Sequence, residues 1–168
     1  MNVILIGMPG CGKSTVGVLL AKALQLDFTD CDLVIQKIAK MGLQEIIDTK
    51  GIDEFLMIEE KVLCDSNFSD TVVATGGSAI YYPAAMEHLK KDAVTVYISL
   101  PYEEIEKRLS NIKTRGVAMT KGQTLKGIYD ERVPLYEKYA DIIIKTLGQS
   151  VEQTVEEAAR SIKEYIKK

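Results

Sequence analysis

Residues 3–15 read VILIGMPGCGKST, and the interpretation of this stretch decides the architecture of the chain. Residues 3–6 form an uninterrupted apolar run, which suits a strand buried on both faces. Residues 7–14 then give Gly-x-x-x-x-Gly-Lys-Ser, the spacing of a phosphate-cradling loop. Gly7, Gly10 and Gly12 let successive backbone N–H groups turn inward around an anion, where a Cβ would interfere. Val16, Leu19, Leu20, Ala23 and Leu24 continue at helical spacing, so a helix over residues 13–24 aims its positive end at the same anion. The segment from Gly10 through Cys11, Gly12, Lys13, Ser14 and Thr15 is therefore expected to hold a nucleotide. Lys13 supplies a mobile charge for the outer phosphates, and the Ser14 hydroxyl is placed to ligate Mg²⁺.

The remaining composition bounds the possibilities. A chain of 168 residues with 46% apolar and 27% charged residues suits one globular domain. The net charge of −3 and the lack of a basic block argue against a nucleic-acid partner. No apolar run approaches the ~20 residues of a membrane span. The first residues lead straight into a strand rather than a leader pattern, so a cytoplasmic location is expected. Cys11, Cys31 and Cys64 are scattered, without a Cys-x-x-Cys pair, which disfavours both a disulfide framework and a zinc site. Cys11 reads as a small space-filling residue of the loop.

Further strands are expected over residues 27–29, 72–75, 93–100 and 141–145. Helices are expected over residues 33–41, 43–50, 52–65, 83–91, 101–111 and 124–139, the last kinked or broken at Pro134. Ser150-x-x-Gln153 caps a final amphipathic helix. Five short strands alternating with helices imply an α/β fold, a three-layer sandwich around a parallel sheet. Glu59 stands inside the apolar stripe of the 52–65 helix. His88, the single histidine, reads as a surface residue. Residues 112–123 are polar and cationic with two glycines, which reads as a mobile lid.

A phosphate loop alone does not define a reaction. No Asn-Lys-x-Asp motif points to guanine, and no later strand ends in the usual metal-ordering aspartate. Asp30 and Asp32 are the available carboxylates. If the second strand persists through them they point the same way, at the carboxyl edge of the sheet where ligands bind. The alternative is a pair of solvated turn or cap residues.

The chain resembles the shikimate kinase family over nearly its whole length. The motifs GMPGCGKST (7–15), DCD (30–32), TGGS (75–78), the Arg115 loop and RVPLY (132–136) occur in that family's order. The resemblance implies a nucleoside-monophosphate-kinase-like fold with sheet order 2-3-1-4-5 and a single domain over residues 1–168. It implies ATP, Mg²⁺ and phosphorylation of a hydroxyl on a small molecule, shikimate foremost, by a protein expected to be a monomer. Residue by residue, it implies that Lys13 and Ser14 hold the triphosphate and metal. Asp30 orders the metal's waters, and Asp32 binds acceptor hydroxyls and takes the proton. Gly76 and Gly77 shape the acceptor pocket, Arg108 lies near the adenine, Arg115 closes on the phosphates, and Arg132 grips the acceptor carboxylate.

Three positions depart from the family pattern. Leu56 stands where a second carboxylate-binding arginine is usual, Ser78 replaces a third glycine, and Gly116 follows Arg115 in place of proline. The missing arginine would have faced Glu59, one turn later on the same helix. Leu56 and Glu59 are therefore expected on the pocket wall opposite Arg132. One carboxylate and one guanidinium there would suit a hydroxy amino acid better than shikimate, and an ordinary packing role for Leu56 is the alternative. A homologue that binds nucleotide without catalysis is the third possibility.

Overall fold

The computed structural model describes residues 1–110, 117–120 and 122–167. β1 (Asn2–Ile6) lies at the centre of a five-stranded parallel sheet, with every residue buried, as its apolar run requires. β2 (Asp27–Asp30), β3 (Thr71–Ala74), β4 (Ala93–Ser99) and β5 (Ile142–Lys145) complete the sheet in the order 2-3-1-4-5. The eight helices among the described residues are α1 (Lys13–Leu24), α2 (Cys31–Ala39), α3 (Leu43–Lys50), α4 (Ile52–Asp65), α5 (Pro83–Leu89), α6 (Tyr102–Ser110), α7 (Leu125–Tyr139) and α8 (Val151–Ile166). A short 3-10 turn over Ala79–Tyr81, not expected from the sequence, links β3 to α5.

Register puts the functional loops side by side. Leu5 pairs with Ala74 and Ala74 with Asp30, so β2, β3 and β1 end at the same level of the sheet. The phosphate loop, the Asp30–Asp32 segment and the Gly76–Ser78 turn thus leave one carboxyl edge together, the usual ligand position of an open α/β sheet. Two apolar clusters hold this edge. The main one surrounds the sheet, and a second, built on Ile35, Ile46, Phe55, Val62 and Ala118, lies under α2, α3 and α4.

Two local expectations are corrected. β2 ends at Asp30 and α2 begins at Cys31, because the Asp30 side chain accepts from the Asp32 backbone N–H at 3.0 Å and caps the helix. Asp30 and Asp32 are therefore a cap and a first-turn residue, not alternate residues of one strand. Of the kink or break expected at Pro134, the break does not occur: α7 continues to Tyr139 with Pro134 inside it. The capping box at Ser150 and Gln153 forms as expected.

Candidate active site

The phosphate loop is held by its glycines. Gly7, Gly10 and Gly12 have φ of 146°, 82° and 106°, values that residues with a Cβ rarely adopt. At Gly7 a Cβ would also come within 2.7 Å of the Ile98 carbonyl. Lys13 is largely buried, and its Nζ donates to the Gly7 and Met8 carbonyls at 2.8 and 3.0 Å. The ammonium is thereby held across the loop it is meant to serve. Arg108 reaches across from α6, where Nη1 donates to the carbonyls of Gly10 at 3.2 Å and Cys11 at 3.4 Å. Cys11 itself is buried, with Sγ 3.9 Å from Lys13 Nζ, and fills space behind the loop.

A cavity of about 860 Å³ opens from this loop along the sheet edge. Gly10, Gly12, Lys13, Ser14 and Thr15 line it together with Asp30 and Asp32. Glu59, Gly76, Gly77, Ser78 and Arg132 line the same cavity. Most of the residues singled out in the sequence therefore share one cavity. Arg108 and Cys11 touch the loop without lining that cavity, and Arg115 lies outside the described residues. Of the 112–123 stretch expected to form a lid, residues 117–120, 122 and 123 are described. Among them Ala118 is buried on the cavity wall.

Leu56 is not on the wall. It is half-buried between the two apolar clusters, while Phe55 and Glu59 line the cavity. Helical geometry accounts for this: residues 55 and 59 are four apart and share a line along α4, whereas 56 is turned off it. Sequence reading also missed the α3 side of the cavity, where Gly42, Leu43, Gln44, Glu45, Asp48 and Thr49 line the wall. Their polar pattern looks like an ordinary solvated helix face, so no local signal marks them.

Two charged side chains on the cavity wall are almost completely buried. Arg132 is 2% exposed, and Nε donates to Tyr81 Oη at 3.2 Å and Nη2 to the Ala118 carbonyl at 3.1 Å. Its guanidinium also lies over the Tyr81 ring at 5.1 Å. The structural ion pair open to Arg132 from sequence is not formed among the described residues. Glu59 is 0% exposed, and its Oε2 accepts from Ser78 Oγ at 2.5 Å and Tyr82 Oη at 3.0 Å. Burial pushes the Glu59 carboxyl up to about 7, although these two hydrogen bonds and Arg132 pull it down. Burial and Glu59 raise the Tyr82 phenol, so Tyr82 stays protonated and donates.

Gly76 and Gly77 allow these groups to converge. A Cβ on Gly76 would lie 2.0 Å from Glu59 Oε1 and 3.2 Å from Asp32 Oδ1. One on Gly77 would lie 2.6 Å from Pro9 Cδ and 3.1 Å from Arg132 Nη1. Tyr136 Oη donates to the Gly77 carbonyl at 2.5 Å and fixes the turn from α7. The arrangement joins an anion cradle to a cavity wall that holds a carboxylate and a guanidinium.

The family described as shikimate kinase matches residues 9–163. The chain belongs to the shikimate kinase family. A shikimate kinase of Thermodesulfovibrio yellowstonii is 36% identical over 167 residues, covering 98% of this chain and 94% of that protein. Shikimate kinase from Acinetobacter baumannii, solved in complex with shikimate, superposes with a TM-score of 0.84 at 31% identity, covering 98% of this chain and 92% of that one. The Aquifex aeolicus shikimate kinase gives 0.83 at 33% identity, covering 97% and 96%. As in the shikimate kinase family generally, the expected fold is a phosphotransferase scaffold, and the 2-3-1-4-5 sheet order agrees with it. No helix among the described residues is long and apolar enough to cross a membrane.

Proposed function

We propose that this chain transfers the γ-phosphoryl group of ATP to a hydroxyl of a small, carboxylate-bearing acceptor. Shikimate is the first candidate, by precedent of the relatives named shikimate kinase. The observation that carries the reading is one cavity lined together by Lys13, Ser14, Asp32 and Arg132. The acceptor carboxylate meets Arg132, a buried cation without a carboxylate partner among the described residues. The hydroxyl is then directed toward Asp32 and the phosphate loop.

In the reaction the hydroxyl oxygen bonds to the γ-phosphorus, the bond to the β,γ-bridging oxygen breaks, and ADP leaves. The hydroxyl proton passes to Asp32, which suits a group that becomes acidic only as the phosphoryl group arrives. Lys13 neutralises charge building on the phosphate oxygens, and the loop N–H groups orient them. Arg115 is assigned to the same charge from the lid. The oxygen donors of Ser14 and Asp30, on the cavity wall beside Lys13, fit a hard cation such as Mg²⁺. Asp30 retains its second carboxylate oxygen after Oδ1 caps α2. When bound, the ion neutralises the β- and γ-phosphate oxygens.

The test is acceptor-dependent ADP release with shikimate in wild type and Arg132→Met. The reading expects KM for the acceptor to rise about ten- to hundredfold in the variant, the worth of a charge-assisted hydrogen bond. Mg·ATP affinity is expected to hold. An unchanged acceptor KM removes Arg132 from the site.

A further inference from the structure

Neutral oxygens hold the buried guanidinium of Arg132 in place. Nη2 donates to the Ala118 carbonyl at 3.1 Å, and Nε donates to Tyr81 Oη at 3.2 Å. The guanidinium also lies over the Tyr81 ring, 5.1 Å from its centre. One tyrosine thus meets Arg132 twice, through its oxygen at the Nε edge and through its ring face. An arginine side chain carries considerable rotamer freedom. These contacts restrict it before any ligand arrives.

The phenol is chemically suited to this task. Burial first, and then a hydrogen bond with the Glu131 carboxylate, raise Tyr81 above its ordinary value, while Arg132 lowers it. Tyr81 therefore keeps its proton at neutral pH, gives it to Glu131 and accepts from Arg132. Glu131 forms no ion pair with Arg132 among the described residues. The neutral phenol bonds to both, so the positive charge of Arg132 is left for a ligand.

The same contacts select the edge that a carboxylate can use. Tyr81 takes the Nε–H, which directs an incoming carboxylate to the terminal nitrogens. Nη1 lies 3.1 Å from the place a Cβ on Gly77 would occupy, so this end of the guanidinium borders the glycine turn of the cavity wall. Tyr136, one turn after Arg132 on α7, donates to the Gly77 carbonyl at 2.5 Å and fixes that turn against the helix carrying the arginine. Tyr81 ends the 3-10 turn that follows Ser78, so one short stretch of backbone places both the cavity wall and the phenol.

We propose that Tyr81 is a positioning residue for acceptor recognition, holding the Arg132 guanidinium so that its terminal nitrogens, beside Gly77, meet the acceptor carboxylate. The inference rests on the kinase reading above and on Arg132 as the carboxylate ligand. Tyr81 itself does not line the cavity, so it acts through Arg132 rather than by touching the acceptor.

The experiment is a double-mutant cycle on the full chain with Tyr81→Phe, Arg132→Met and the two combined, each checked for folding by its melting curve. Initial rates of ADP release give kcat/KM for shikimate even where saturation is not reached, and titration calorimetry gives shikimate binding to the Mg·ADP-saturated protein. Tyr81→Phe keeps the ring and removes only the oxygen. It is expected to raise KM and Kd for shikimate about 2- to 10-fold, the scale of ordering one long side chain on binding. Uniform weakening of this kind leaves kcat nearly unchanged. On top of Arg132→Met the same change is expected to have no further effect, because the phenol acts through the guanidinium. Unchanged shikimate binding in Tyr81→Phe, or an equal loss in both backgrounds, overturns the proposal and leaves the kinase reading intact. Absence of acceptor-dependent ADP release by wild type removes that reading, and the proposal with it.

Discussion

Ser78 Oγ donates to Glu59 Oε2 at 2.5 Å, tying the turn after β3 to the middle of α4. Three residues earlier on α4, Leu56 packs between the apolar clusters, and the Ser78 hydroxyl takes one oxygen of the Glu59 carboxylate. A hydroxyl stabilises the carboxylate without cancelling its charge. Burial, which raises the Glu59 carboxyl to about 7, leaves it protonated below that pH and anionic above it.

Glu59 should make stability depend on pH. Its folded value of about 7 lies above the ordinary 4.5. The native state holds an extra proton between those values, so the contribution is fully present below about pH 4.5 and lost as pH rises through about 7. The facing groups are Asp32, which raises the value, and Arg132, Ser78 and Tyr82, which lower it. Glu59→Gln should remove this loss, gaining up to roughly 3 kcal/mol over wild type near pH 8 and little near pH 5. Denaturant melts at both pH values check this, and an equal difference at the two would contradict it.

Gly76→Ala should destabilise the chain. Its Cβ would fall 2.0 Å from Glu59 Oε1 and 3.2 Å from Asp32 Oδ1, so one carboxylate must move. A loss of about 1–3 kcal/mol is expected, the usual cost of overpacking. Acceptor affinity should fall more than Mg·ATP affinity, because Asp32 is assigned to the acceptor. Thermal melts and separate titrations of the two ligands measure this, and retained acceptor affinity would count against the assignment.

Arg115→Ala should lower kcat while leaving Mg·ATP binding nearly intact. A lid arginine that meets charge only in the transition state contributes roughly 10³–10⁵ in rate. Single-turnover kinetics and nucleotide titration separate the two effects. Equal losses in both would make Arg115 a ground-state contact.

The legible parts of this molecule are those whose physics is local. The apolar run of β1, the glycines of the loop and the stripe of α1 specify a strand–loop–helix unit, and that unit forms. Buried Glu59 was visible as a charge inside an apolar stripe. The hidden parts depend on contacts distant in sequence. Nothing near Tyr82 announces that it donates to Glu59, 23 residues away, and nothing in the polar face of α3 marks it as a cavity wall. Phe55 and Leu56 are neighbours of similar character, and only the rotation of α4 determines which one reaches the cavity. At Asp30 strand continuation competed with helix capping, and the Asp32 N–H decided for the cap.

The most direct test of the central claim compares acceptor-dependent ADP release in wild type and Lys13→Ala, with shikimate as acceptor. Lys13 Nζ donates to the Gly7 and Met8 carbonyls and to Cys11 Sγ, all within the loop, so the variant should fold. Wild type is expected to release ADP in an acceptor-dependent way, and the variant to do so at least about 100-fold more slowly, the scale of losing one preorganised charge-stabilising group. Equal rates in the two proteins, or no acceptor-dependent release by wild type, would contradict that claim.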